Sequence, residues 1–456
     1  MKTLLQKINS LSITAVLLLI LVFFLPFQHG SGKLFKKWVY LHLDYNFHFY
    51  LSDVLILTLA GLCFFSMKLH HFFLKNSNKY LTGFLIFSFL SILYSPDRNL
   101  LWVYHSWLAI AIPSCLFFVL SNHHNVKEIV QKGLWVLLFA SLVESGIAFT
   151  QYMQQAPLGL NSLGEPAFFS AFASTTKTKW ILDPLFHSSL PSFILQRATG
   201  TFPHANVLGT FMGISIFATF YLYLSVNKSW KKNLLFLALF IQEFIVFISY
   251  SRAALYGIAL GSIFWFGYSL WKKLPVKGFL TGFLLSTACC LILLYPQLRD
   301  RGGVFNYNQI AKGSDEIRLN YQQAALDYSK NDRLLGVGWH HCFINMARIS
   351  TEYKDAKMID AHNIYLMIFT AAGLFAFVCF MGFIVSILVH SLKQVFDPLS
   401  FVLFTIFVFL LWVGCCDYLL IKSVNGRLFF FLIAGLLSQM KENSDKSNEI
   451  KTCHHC

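Results

Sequence analysis

Apolar residues run along this chain in long blocks rather than in alternation, the pattern of helices buried on all sides or facing lipid. Twelve blocks approach or exceed the length needed to cross about 30 Å of hydrocarbon at about 1.5 Å per residue. They lie near 11–27, 50–67, 80–95, 100–121, 134–152, 205–226, 233–249, 253–271, 279–295, 363–390, 398–416 and 427–440. The expected fold is therefore an all-α integral membrane protein of about 12 transmembrane helices, with residues 1–456 forming a single polytopic domain.

Composition agrees with that pattern. The chain is 56% hydrophobic, 17% aromatic and only 12% charged, against about 25% charged in an ordinary soluble domain. Lys2 and Lys7 ahead of the first block, and Gly30-Ser31-Gly32 after it, have the outline of a cleavable signal. The block is long for a signal and many spans follow, so an uncleaved first helix is expected.

The net charge of +15 is mostly topology and argues for no nucleic-acid partner. With the N-terminus cytoplasmic, the inner segments hold 17 Lys or Arg. The short outer connections 28–49, 96–99, 250–252 and 417–427 hold seven, the inward bias expected of short loops. Both termini then lie inside, with 441–456 as a cytoplasmic tail. On this assignment every inner basic residue is Lys, and all nine Arg lie outside or at the outer boundary. Guanidinium offers phosphate a fixed fork of donors that ammonium lacks.

Two outer segments are longer than connections require. One, Met153 to His204, is rich in Pro, Gly, Ser and Thr. The other, 296–361, carries Arg299, Arg301, Arg318, Arg333 and Arg348. Within it Ile317, Tyr321, Ala324 and Tyr328 recur at helical spacing after Gly313-Ser314-Asp315, predicting a helix capped at Ser314 or Asp315 that lies on the membrane surface or roofs a cavity. Leu335-Gly336-Val337-Gly338-Trp339 reads as a turn, because GxG alone is a poor phosphate-loop signal.

Asp360-Ala361-His362-Asn363 stands where this loop enters the tenth block. A neutral imidazole suits a general base near pH 7, since its ordinary pKa is about 6.5. The positive end of a helix dipole disfavours imidazolium at that place. Asp360 acts in the opposite sense if it contacts the ring, and it otherwise orients the tautomer or caps the helix. The bland alternative is a His-Asn pair that only caps a helix. Arg252 is the strongest candidate for a phosphate-binding arginine, because a short turn between two spans holds it at the membrane surface. Arg318 is next, and Arg197 serves equally well as an interfacial anchor. For Arg299, Arg301, Arg333 and Arg348 the default is a solvated loop surface.

Four pieces then occur in a telling order. They are Arg197-Ala198-Thr199-Gly200-Thr201-Phe202-Pro203-His204-Ala205-Asn206, Ser249-Tyr250-Ser251-Arg252-Ala253-Ala254, Gly336-Val337-Gly338, and His362-Asn363 followed by Gly373. Together they resemble the O-antigen ligase and O-antigen polymerase superfamily of bacterial envelope glycosyltransferases, with a ligase-like core over 151–390. Ala376 departs from the Gly, Thr or Tyr of the ligase pattern.

The resemblance implies a glycosyltransferase of the bacterial inner membrane with its active site on the periplasmic face. It would move a glycan from an undecaprenyl pyrophosphate carrier to a hydroxyl, in the ligases that of lipid A-core. Such members are metal-independent, inverting and without cofactor. It also implies His362 as catalytic base, Arg252, Arg318 and Arg197 on the donor pyrophosphate, and Asp360 and Asn363 in support. A repeat-unit polymerase or a protein O-oligosaccharyltransferase would share the donor and differ in acceptor.

Glu144 and Glu243 inside spans, and Asp53, His105 and Asp417 near span ends, suit a rival class, a membrane transporter. Against it, the chain has no inverted repeat and no matched pair of Gly/Pro-broken helices. Cys453-His454-His455-Cys456 and the pairs His70-His71, His123-His124 and His340-His341 have ligand types without a metal-site spacing. No metal is assigned.

Overall fold

The computed structural model describes residues 13–28, 50–64, 75–122, 126–166, 171–173, 194–305, 308–342, 361–395 and 397–440. A helix stands at each of the twelve apolar blocks: α1 (Ile13–Phe23), α2 (Leu51–Phe64), α3 (Asn76–Tyr94), α4 (Leu101–Ser121), α5 (Val126–Gln154), α6 (Ala205–Ser225), α7 (Ser229–Ser249), α8 (Arg252–Trp271), α9 (Lys277–Leu293), then, after two helices in the long loop, α12 (Ile364–Leu392), α13 (Pro398–Cys416) and, past a one-turn α14 (Leu419–Lys422), α15 (Val424–Leu437). The loop helices are α10 (Tyr295–Arg301) and α11 (Gln309–Tyr328).

The protein is all-α in its membrane part, but its helices are unequal. Among the described residues seven, α4 to α8 with α12 and α13, are long and apolar enough to cross a membrane. The number is eight if α9 and α10, bent by 72° at their junction, count as one broken span. Ile13–Phe23, Leu51–Cys63 and Val424–Leu437 are shorter apolar helices. One departure from all-helical structure lies in the first long loop, where Ala171–Ala173 pairs antiparallel with Ile194–Gln196.

α6 is the central post, buried along almost its whole length and packed by α5, α7, α8 and α13. Its polar side chains are matched across helices. Gln242 on α7 donates to Ser141 Oγ on α5 (2.9 Å) and to Ser215 Oγ on α6 (2.8 Å), and accepts from Thr219 Oγ1 (3.0 Å). A polar group inside a membrane bundle needs such partners, because lipid offers none.

α12 lies along α3 and is interrupted at Gly373, where φ is 80° and ψ 179°. The loop before it uses the gap. Val337 N donates to Thr370 O (3.1 Å), Gly338 N to Ala371 O (2.9 Å) and Leu374 N to Arg333 O (2.8 Å), so groups freed by the break are satisfied from outside the helix. A Cβ on Gly336 would stand 2.3 Å from Ala371 O, and one on Gly373 2.3 Å from Leu334 O. The Gly336-Val337-Gly338 motif is thus a backbone-docking segment, and Gly373 is its socket.

α11 begins earlier than its apolar stripe suggests. Its N-cap is Asn308, whose Oδ1 accepts from Ala311 N (3.0 Å), and Ser314 and Asp315 lie inside the helix. Asp315 is thereby released for the contact described below.

Candidate active site

The segment Arg197–Asn206 is positioned from below by buried side chains of α5. Glu144 accepts from Thr201 N (3.0 Å) and Thr201 Oγ1 (2.6 Å). Gln151 accepts from Gly200 N (2.8 Å) and donates to Gly200 O (2.9 Å). Glu144 is therefore an anchor for a turn. Glu243, held by Ser286 and Thr287 of α9, is likewise an interhelical tie.

Ala198 N donates to Ile248 O (3.3 Å) and Arg197 Nε to Ser249 O (2.8 Å). The first family-like motif is therefore bound to the second. That second motif is a compact corner: Tyr250 takes the left-handed conformation that ends α7 (φ 50°), and Ser251 caps α8. Both halves of the corner are needed to place Arg252 at the first position of α8.

From Arg197 a line of polar contacts leads to His362. The Nη2 of Arg197 donates to Asn206 Oδ1 (2.5 Å), and Asn206 Nδ2 donates to Asp417 Oδ2. The other carboxylate oxygen of Asp417 lies 3.7 Å from His362 Nδ1, an ionic contact longer than a hydrogen bond. Burial opposes ionisation of Asp417, yet His362, His204 and Arg318 around it hold its carboxyl well below the usual range. It is an anion at any physiological pH.

His362 itself has φ 45°, rare for a residue with a side chain. Its ring is in contact with those of Tyr418 (centroids 4.6 Å) and Tyr321 of α11 (6.3 Å, planes 13° apart). Asn363 is the N-cap of α12: its Oδ1 accepts from Tyr365 N and Leu366 N (both 3.0 Å), and its Nδ2 donates to Cys415 O (3.2 Å). Capping thus falls to Asn363 and leaves the histidine free to face a cavity. Asp360 lies outside the described residues.

The cavity measures about 480 Å³ and is lined by Arg197, Arg301, Arg318, His204, Asn206, His362, Asp417 and Tyr418, with α11 as one wall. That is the size of a small-molecule site, about 300–1,000 Å³. Three guanidinium groups face one carboxylate there, a surplus of positive charge. Burial, then the neighbouring Arg301, lowers Arg197 to about 9; burial, then Arg252 and Arg318, lowers Arg301 to about 10. Both stay cationic at pH 7. His204, which caps α6 by accepting from Asn206 N (3.1 Å), is pushed down to about 4 by burial and by Arg197, and so is neutral.

Arg252 stands differently from its expectation as the strongest diphosphate ligand. Its Nη2 and Nη1 bind the two carboxylate oxygens of Asp315 on α11 at 2.6 and 3.2 Å. The guanidinium is only 12% exposed, and it is not among the cavity-lining residues. It clamps the loop helix to α8, close enough to depress Arg197 and Arg301 by charge.

Sequence reading named Arg197, Arg318 and His362, and the fold brings them together. It missed Arg301, which it left on a solvated surface, and Asp417, which it saw only as a polar residue near a span end. Asp417 carries no local signal because it is 55 positions from His362 in the chain and meets it only through the packing of α12 on α13. His204 and Asn206 lay inside a quoted motif without a role.

A second cluster stands apart from the cavity. In the turns Pro96–Asn99 and Trp339–Cys342, Asp97, His340 and His341 each offer a ligand atom, all within 4.8 Å of one another. The adjacent histidines had no spacing partner in sequence, and Asp97 supplies one through the fold.

A search of curated proteins found no match to the chain. Residues 234–381 match the family model described as O-antigen ligase. The matched stretch contains Arg252, Arg301, Arg318, His362 and the Gly373 break of α12, and Arg197, Asn206 and Asp417 join it from either side. Over that stretch the chain is similar to the O-antigen ligase family.

Proposed function

We propose that the protein is a twelve-span inner-membrane glycosyltransferase. It transfers a glycan from undecaprenyl pyrophosphate to a hydroxyl, foremost that of lipid A-core, in a site on the periplasmic face. The observation that carries this reading is the joining of an arginine-rich cavity to a His-Asp pair, Arg197, Arg301 and Arg318 beside His362 and Asp417. A lipid diphosphate brings concentrated negative charge to the membrane surface, and these fixed cations meet it without reorganisation.

The reaction then runs in one displacement. The acceptor hydroxyl gives its proton to His362 as its oxygen forms a bond to the anomeric carbon, and the bond from that carbon to the pyrophosphate oxygen breaks. The electron pair leaves on the pyrophosphate, where the arginines stabilise it, and attack opposite to the leaving group inverts the centre. Asp417, against Nδ1, leaves Nε2 as the nitrogen for the acceptor and stabilises the imidazolium that forms. Arg197 and Asn206 hold Asp417 in place. Arg252 contributes long-range positive charge and, through Asp315, the position of α11.

The test is transfer by purified protein supplied with lipid-linked glycan and lipid A-core. His362→Ala should lower the rate by about 10²–10⁴-fold while the protein elutes and melts as the parent does. Full activity in that variant sinks the assignment. Product on a second lipid-linked glycan, or on a Ser or Thr of a protein, with none on lipid A-core, replaces the ligase reading by the polymerase or protein-acceptor one.

A further inference from the structure

The arrangement outside the cavity carries a second site. We propose that Asp97, His340 and His341 bind one divalent transition-metal ion of the zinc class, as a structural staple separate from the His362 cavity.

Ligand types and geometry come first. Two imidazoles and a carboxylate are a set that zinc favours, at about 2.0–2.2 Å to each ligand atom. Tetrahedral ligands at that radius lie about 3.3 Å apart, and His340 Nε2 is 3.2 Å from Asp97 Oδ2. The His341 ring stands beside that of His340, with centroids 4.2 Å apart, and the third ligand atom is within 4.8 Å of both others. A small rotation of His341 closes the set. Asp97, whose side chain is 36% exposed, leaves a path for the ion and a fourth position for water.

A second observation points the same way. His341 is 4% exposed, and its Nδ1 is buried without a hydrogen-bond partner. A buried polar atom left without a partner is unfavourable. A plain His340–Asp97 hydrogen bond accounts for one imidazole and leaves the other unexplained.

The place gives the ion something to do. Asp97 belongs to the turn between α3 and α4. The two histidines follow directly on the segment that docks into the break of α12, where Trp339 N donates to Ser91 Oγ (2.9 Å) and Trp339 Nε1 to Ser106 O (3.1 Å). An ion there ties that segment to the α3–α4 turn across more than 240 positions of chain.

The test uses the full chain in detergent, stripped with chelator and then titrated with zinc alone. Cys453→Ser and Cys456→Ser are carried in every sample so that the terminal thiols do not compete. One zinc per chain at micromolar free metal is expected, with a rise in melting temperature of about a few degrees. Asp97→Asn and His341→Ala should each abolish that ion and that rise. Asp97→Asn, at a partly exposed position, guards against a variant that merely misfolds, and its metal-free melting temperature should match the parent's. Cobalt(II) should give the visible absorption of a tetrahedral nitrogen and oxygen site in the parent and not in the variants. Zinc that stays bound in both variants, or no zinc at all in the parent, overturns the proposal. Zinc bound without a change in melting temperature overturns the staple.

Discussion

Two His-Asp pairs flank the same stretch of loop, and they differ in nearly everything but residue type. His340 and Asp97 are 3.2 Å apart with the histidine fully buried, while His362 and Asp417 are 3.7 Å apart with the histidine 22% exposed on a cavity. One turn-and-stripe helix serves both. On α11, Tyr321 stacks on the ring of His362 and Tyr328, two turns on, meets the ring of His341 edge-on. A histidine-carboxylate pair therefore has no fixed meaning. On the readings proposed above, the pair beside arginines and open space moves a proton, and the pair beside a second buried imidazole holds an ion.

The largest effect should come from making the same substitution in each pair. Asp417→Asn removes the anion that stabilises imidazolium, and the transfer rate should fall about 100-fold or more. Asp97→Asn should leave the rate at low temperature unchanged and alter only melting behaviour in zinc. Equal losses of rate in the two variants, measured below both melting temperatures, would erase the distinction between the pairs.

The arginines sharpen the contrast at smaller magnitude. Arg318→Ala and Arg301→Ala, each removing one donor from the cavity, should each lower kcat/KM for the lipid-linked donor by about 10–100-fold, on the scale of a charged hydrogen bond worth about 1.5–3 kcal/mol. Arg252 is separable by its partner. Asp315→Asn breaks the clamp and leaves the guanidinium intact, so a clamp role predicts that Arg252→Ala and Asp315→Asn lose activity alike. If Arg252 instead binds diphosphate, Asp315→Asn frees it, and donor KM falls while Arg252→Ala raises it.

What sequence could and could not show follows from the range of the forces involved. Helix positions were legible because lipid demands continuous apolar runs, and every block has its helix. Their status as spans was less so. α9 turns by 72° into α10 where Tyr295-Pro296 makes continuation costly, and length alone did not reveal that. Arg197 and His362 were legible because motifs contain them, and Arg318 because it sits beside the apolar stripe of a predicted helix. Asp417 and Arg301 were not, since their meaning arises from contacts between distant elements. Gly336 and Gly373 were read as a turn and a family mark. Only the docked backbones explain why neither position tolerates a side chain.

The smallest predicted effect is one on stability, and it concerns the backbone of His362. Its φ of 45° is a conformation that costs an ordinary L-residue about 1–2 kcal/mol, and Asn adopts it more readily than most. The surroundings impose it. Asn363 must be placed to cap α12, and the ring must meet Tyr418, Tyr321 and Asp417. His362→Asn should therefore keep or slightly raise the melting temperature while it abolishes transfer, a sign of strain retained for chemistry. His340 shows no positive φ, so His340→Asn should lower stability through its lost contact with Asp97. If His362→Asn destabilises the protein as much as His340→Asn does, the ring of His362 is part of the packing, and the two pairs are alike after all.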